Sequence, residues 1–185
     1  MKGFPKQSKG IGVKSPEAYI LDLIERMCFN EAPCSSDQSI RWKAHREAES
    51  LTEDRYIQLL MQYIIEEKRK EYCGSAYFIL GKLLMKCIDP VAIQFFINRL
   101  LVETDENILN SMLDRLSDIE KDQSIDISPI VQCTQSDKWR IRHAAISALA
   151  KTEHEIAKEK IRAFVQLKDQ KKHKYEIIYA TTFTS

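Results

Sequence analysis

An all-α fold of stacked helix pairs is predicted by three features of this 185-residue chain. Only five Gly and five Pro occur, too few for the turns of a β-fold. Apolar residues recur at helical rather than alternating spacing. Helix-sized segments also recur about every 33 residues, the mark of an α-solenoid of about five helix pairs. With Leu149 as reference, the matching positions are Ala48, Leu80, Leu116 and Phe183, at successive steps of 32, 36, 33 and 34 residues. Four residues before each stand Ala44, Ala76, Met112, Ala145 and Tyr179.

The elements follow in chain order. Residues 1–14 carry Lys2, Lys6, Lys9 and Lys14 with no apolar stretch behind them, so they read as a flexible basic tail rather than a secretory signal. Residues 15–185 then form a single domain. Ser15-Pro16-Glu17 combines an N-cap, a proline at the first helical position and an acid in the first turn. That helix carries Ile20, Leu23, Ile24 and Met27 to about Phe29, and a loop over 30–39 leads to a second helix from Ile40 with Ala44 and Ala48 on its small face. The Ser50…Glu53 spacing predicts a capping box and a third helix with Tyr56, Ile57, Leu60, Tyr63 and Ile64. After the polar run 66–71 comes a helix with Ala76, Tyr77, Leu80, Leu83 and Leu84, on which Gly74 and Gly81 predict a close helix contact. Asp89-Pro90 opens the next pair, with Val91, Phe95, Phe96 and Leu100 as its bulky face. Thr104 or Asp105 caps the partner helix, striped by Ile108, Met112, Leu116 and Ile119. Ser128-Pro129 is a further start, and Thr152…Glu155 a second capping box before Ile156, Ile161, Phe164 and Val165. A basic turn over 168–174 leads to the apolar segment 175–183, which folds back on the stack or meets a partner.

The most specific stretch is Trp139-Arg-Ile-Arg-His-Ala-Ala-Ile-Ser-Ala-Leu149. Ile141, Ala144, Ala145, Ala148 and Leu149 form one narrow apolar stripe, and Asp137 precedes them as an expected N-cap. A short Pro-headed helix, a tight turn, an Asp and an Arg-bearing helix of small residues resemble a HEAT repeat. The resemblance implies a right-handed superhelix in which the second helix of each pair lines the inner face. It places Tyr72, Ser75, Asn107, Asn110, Asp114, Arg140, His143 and Ser147 on or near that face.

Composition narrows the function. Five Cys with no paired spacing suit a reducing cytoplasm better than a disulfide framework or a zinc site. No apolar run is long enough for a membrane span. The net charge of +1 conceals a segment, 89–126, with 3 basic and 9 acidic side chains, followed by a basic segment, 127–185, with 11 and 6.

Catalysis finds little support. The chain resembles di-iron deoxyhypusine hydroxylases in its Arg-His helix; that resemblance implies a metal held by repeated His-Glu pairs, and only one such pair, His154-Glu155, occurs, too few ligands for two metals. The Arg-His-Ala-Ala pattern shared with phycobilin lyase-type proteins is a packing signature. HEAT-like alkylpurine DNA glycosylases are the nearest enzymatic resemblance, with Trp42, Trp139, Arg140 and Arg142 as groove candidates. Packing between repeats is the competing reading of both tryptophans, and the acidic helix beside them opposes binding to phosphates.

The expectation is therefore a non-enzymatic protein-binding module with no cofactor and no metal. In its sharpest form it is an inhibitor or immunity protein, covering a basic toxin or nuclease with Asp105, Glu106, Asp114 and Asp118. Trp139, Arg140 and Tyr77 are the expected hot spots, and Tyr72, Asn110 and His143 further contacts. A general adaptor is the broader alternative.

Overall fold

The computed structural model describes residues 15–166, and they are all-helical apart from one isolated parallel bridge between Lys121 and Thr152. The helices are α1 (Pro16–Met27), α2 (Ile40–Ser50), α3 (Arg55–Glu66), α4 (Lys70–Leu84) and α5 (Pro90–Asn98), the last followed by a 3-10 turn (Arg99–Leu101). Next come α6 (Glu106–Leu116), α7 (Ser128–Cys133) and α8 (Trp139–Ala148), then a helical segment α9 over 155–166. The basic tail, the turn over 168–174, the segment 175–183 and the Tyr179 and Phe183 reference positions lie outside the described residues.

Two layers result. Helices α1, α3, α5 and α7 contact one another in sequence, and α2, α4, α6 and α8 form the second layer. Within pairs, α1 meets α2, α3 meets α4 and α7 meets α8. Helix α5 departs from the rule, because its main contact across the layers is to α4 rather than α6. The same unit contains the longest step of the recurrence, 36 residues.

The recurrence has a physical cause. Ala48, Leu80 and Leu116 are wholly buried and Leu149 is 1% exposed; Ala44, Ala76, Met112 and Ala145 one turn earlier are equally buried. Each even-numbered helix thus presents the same two positions to the seam between layers. Sealing each leucine there contributes roughly 2 kcal/mol. Alanine in α2 and α8 lets those helices approach closely. In α4 the close approach is made by Gly81, where an added Cβ would stand 2.9 Å from Arg115 Cγ and 3.0 Å from its Cβ on α6.

Helix starts depart most from the sequence expectation. Ser15, Asp89 and Asp105 cap α1, α5 and α6 as expected. The Ser50…Glu53 box does not form: Ser50 ends α2, its hydroxyl donates to Glu47 O, and α3 starts at Arg55. Asp137 is not a cap either. Helix α8 begins one residue later, and Ser136 Oγ accepts from Lys138 N while Arg142 donates to the carbonyls of Ser136 and Asp137. Before α7, Asp126 rather than Ser128 accepts the terminal N–H. Thr152 accepts from His154 N at 3.4 Å, but Glu155 pairs with Lys158 instead of closing a box. Two further departures involve exposure. Val91 faces solvent while Ala92, Ile93 and Ile97 fill the core beside Phe96, and Ile156 and Val165 are exposed while Ala157 is buried.

Lysines close helix C-termini, two of them across successive units and one within its own. Lys86, just after α4, donates to Glu49 O and Leu51 O at the end of α2. Lys151, after α8, donates to Asp118 O beyond the end of α6. Lys121 is 2% exposed and donates to Leu116 O and Ile119 O, and burial pushes its ammonium down to about 8. Cations on the orphan carbonyls of helix C-termini are favourable.

At the first pair, Glu47 of α2 accepts from Tyr19 Oη at 2.6 Å and from Arg26 Nη1 at 2.7 Å, both on α1. The Arg26 guanidinium, helped by Tyr19, holds the Glu47 carboxyl below its usual range. A depressed carboxylate adds stability above the unfolded pKa of about 4.3, and loses it as pH falls through the folded value. Urea unfolding of Glu47→Gln is therefore expected to show a flatter loss of stability below about pH 5 than the parent chain. Equal slopes would exclude Glu47 as a contributor to acid sensitivity.

Candidate partner-binding face

The side of α2, α4, α6 and α8 turned away from the other layer carries a concentration of open polar and aromatic groups. A pocket of about 550 Å³ opens across α2, α4 and α6 and is bounded on one side by Met27, Cys28, Phe29 and Asn30 at the end of α1. Arg41 and His45 of α2 form one wall, Asn107 and Ser111 of α6 the other, and Phe78 of α4 lies between them, with Glu71 at one end. Its α4 side also includes Ser75, whose hydroxyl lies 3.2 Å from Cys28 Sγ. A smaller pocket of about 110 Å³ between α6 and α8 is lined by Glu106, Asn107, Asn110, Arg140 and Ile141.

Phe78 organises the larger pocket. The His45 ring meets it edge-on at 5.0 Å, Arg115 Cζ lies 5.1 Å from its centroid and Lys82 Nζ 5.8 Å. Burial, reinforced by the nearby Arg41 charge, holds His45 below its usual pKa. Lys82 is paired with Glu49 at 3.5 Å. Arg115 has no ion pair among the described residues, and its Nε is buried without an acceptor.

The sequence-predicted residues divide into three groups. Asn110, Asp114, Asp118, Arg140 and His143 are on α6, α8 or the turn between, and all but partly buried Asn110 are exposed. Asn110 Nδ2 donates to Asp114 Oδ2 at 3.0 Å, and burial lifts the Asp114 carboxyl above its usual range. The His143 ring meets Phe164 edge-on at 5.8 Å, and Asn107 lines both pockets. A second group is occupied by local structure: Asp105 caps α6 and lies 3.8 Å from Lys70, and Glu106 pairs with Lys138 at 3.4 Å. Tyr72 is partly buried under the Arg69 guanidinium, 3.5 Å from its ring centroid.

Tyr77 forms the third group: it is 3% exposed, packs edge-on against Phe96 and accepts from Arg99 Nε, so most of its side chain belongs to the core, and it also lines the larger pocket. Neither tryptophan packs between repeats: Trp42 is 52% and Trp139 66% exposed, with Arg140 Cζ 5.7 Å from the Trp139 ring.

His45, Phe78 and Arg115 do not stand out in the sequence. Phe78 stands two positions before the buried Leu80, as Asp114 and Ser147 stand two before Leu116 and Leu149. That offset is a signal for the exposed face, and a search for apolar stripes passes over it because Phe78 counts as core.

The acidity of segment 89–126 is also redistributed. Asp89, Glu103, Asp105, Asp122 and Asp126 accept backbone N–H groups at helix starts and turns. Asp114, Asp118 and Glu120 remain as exposed carboxylates with no salt bridge among the described residues. Among the described residues, no group of three or more His, Cys, Asp or Glu is placed to hold a metal ion, and no helix is long and apolar enough to cross a membrane. Burial raises the Cys28, Cys73 and Cys133 thiols, the opposite of an activated nucleophile. Compared with known proteins, the chain matches no family profile, no curated protein and no solved structure.

Proposed function

We propose that this chain is a non-catalytic, HEAT-like protein-binding module of about five helix pairs in a right-handed stack, holding its partner on the face of the even-numbered helices. The observation that supports this reading is the pair of open pockets, one across α2, α4 and α6 and one between α6 and α8, lined by polar, aromatic and oppositely charged side chains. Its free thiols suit a reducing, cytoplasmic setting. In the narrower form, an inhibitor or immunity protein meets a basic toxin or nuclease through Asp114, Asp118 and Glu120. Asp105 and Glu106 are less suited to that role, since they are already engaged.

The test is capture of the partner by the full chain at low and moderate salt, compared with Asp114→Lys/Asp118→Lys. One stoichiometric protein is expected, released as salt rises and held at least tenfold more weakly by the double variant. Unchanged affinity and salt dependence would sink the inhibitor reading. The second reading, a nucleic-acid binder related to HEAT-like DNA glycosylases, draws on exposed Trp139 beside Arg140. It requires duplex or single-stranded DNA binding at low salt that Trp139→Ala weakens.

A further inference from the structure

Among the described residues, Lys151 is the one non-glycine residue with a positive φ, at 52°. An L side chain rarely takes that left-handed conformation and holds it only where the surroundings fix it. The fixing is done by the joint between the turn after α6 and the turn after α8. Lys121 N donates to Lys151 O at 3.0 Å, and the two segments form the isolated parallel bridge between Lys121 and Thr152. Lys151 Nζ reaches back to Asp118 O at 2.9 Å. The Lys121 side chain turns to the end of α6, where Nζ donates to Leu116 O at 2.7 Å and to Ile119 O at 2.5 Å.

Donors and acceptors do not match at that amine. An ammonium carries three N–H groups and a neutral amine two. Two carbonyls take hydrogen bonds from Nζ among the described residues, and at 2% exposure solvent has little access to a third N–H. Burial is the main force against the charged form; Lys151, from the turn after α8, adds to it, and Asp118, exposed on Lys121's own turn, opposes it. Glu120 and Asp122 on either side of Lys121 are exposed, and His154, leading into α9, lies 3.1 Å from Asp122 O.

We propose that this joint is a pH-sensitive latch: an uncharged Lys121 amine closes it, and protonation of that amine loosens the hold between the α6 and α8 units. The two N–H groups of the neutral amine match the two carbonyls. An added proton buries a third N–H with no acceptor, and it sets a second ammonium beside Lys151, where the backbone is already held in an unfavourable conformation. Loosening there frees the end of the stack that carries α8 and α9. The latch works independently of what the even-helix face binds.

The sign of the pH dependence follows by linkage. Lys121 is pushed down to about 8 in the folded chain and returns to about 10.4 on unfolding, so the unfolded state binds more protons between these values and stability rises with pH. Cys28, Cys73 and Cys133 act the other way, since burial raises their thiols and unfolded thiols ionise near 8.5. The comparison is therefore with Lys121→Met, which keeps all three.

Urea unfolding of the full chain under reducing conditions is expected to show the parent's unfolding constant, divided by that of Lys121→Met, falling about twentyfold from pH 7.5 to 9.5. In an NMR titration of the parent, the Lys121 Nζ signal should have its midpoint at about 8, and the exposed lysines near 10.4. Lys151→Met should raise the Lys121 midpoint, because it removes the repelling charge. A ratio that is flat or rises over this interval, or a Lys121 signal that titrates with the exposed lysines, would overturn the proposal. An unmoved midpoint in Lys151→Met would count against it as well. If Lys121→Met does not fold, the Nζ titrations decide between the same outcomes.

Discussion

Phe96→Ala is expected to lower the free energy of unfolding by about 3–5 kcal/mol, the range for emptying a fully buried aromatic site. Phe96 has no exposed surface, and its ring stands at 89° to that of Tyr77 with the centroids 5.8 Å apart. Truncation therefore removes both the buried area and the edge-to-face contact. It also loosens Tyr77, whose hydroxyl accepts from Arg99 at the start of the 3-10 turn. Because α5 makes its main contact across the layers with α4, the site has few ways to collapse. Urea titration should show a lower midpoint with an unchanged slope. Phe96→Leu should cost markedly less, since most of the volume is kept. Equal effects for the two substitutions would mean that ring geometry, not cavity size, dominates.

Gly81→Val is expected to destabilise the chain by about 1–3 kcal/mol, against the direction of helix propensity. On propensity alone, replacing a mid-helix glycine should gain a few tenths of a kcal/mol. At Gly81 the new Cβ meets Arg115 Cβ and Cγ near 3.0 Å, the stem rather than the mobile end of that side chain. Relief requires α4 and α6 to separate, an overpacking cost that exceeds the gain. Gly74 on the same helix provides the control. A Cβ there would stand 3.5 Å from Ile108 Cγ1, an ordinary contact, so Gly74→Ala should stabilise by up to about 1 kcal/mol. Thermal melts of the two variants should move in opposite directions. Parallel shifts would show that Gly81 is not the point of closest approach.

The contrast between these glycines illustrates how far an amino-acid sequence declares its own packing. Spacing on α4 marks both as points of close contact, and only the neighbour's identity, an arginine stem against an isoleucine tip, separates them. The layered core is legible because its cause is periodic: Ala48, Leu80, Leu116 and Leu149 recur since each helix buries the same position. Helix starts are less legible. Ser, Thr, Asp and Glu cluster near every turn, and which oxygen reaches the terminal N–H depends on the exit angle of the preceding helix; hence Ser15 and Asp89 cap as their sequence context predicts, and Ser50 and Asp137 do not. The binding face is partly legible. Polar residues such as Asn107 and Asp114 declare their exposure, whereas Tyr77, expected as an exposed contact, is buried, and its neighbour Phe78, about one hundred degrees further round the helix, is the more open ring.

The lysine ties bear on how such a chain could have arisen and how it could be edited. Lys86 follows its buried leucine by six residues, Lys121 by five and Lys151 by two, yet each ends on a carbonyl at a helix terminus. The apolar positions would survive copying or deletion of one 33-residue segment, because they are interchangeable. Lys121 would survive too, since its carbonyls lie in its own segment, but Lys86 and Lys151 would not: each reaches back into the preceding unit, so a duplicated unit would bring its amine to the wrong turn and leave carbonyls bare at the new junction. Lengthening or shortening this protein by whole units therefore requires redesigned joints, and natural variants of different length should differ most in the few residues after each even-numbered helix.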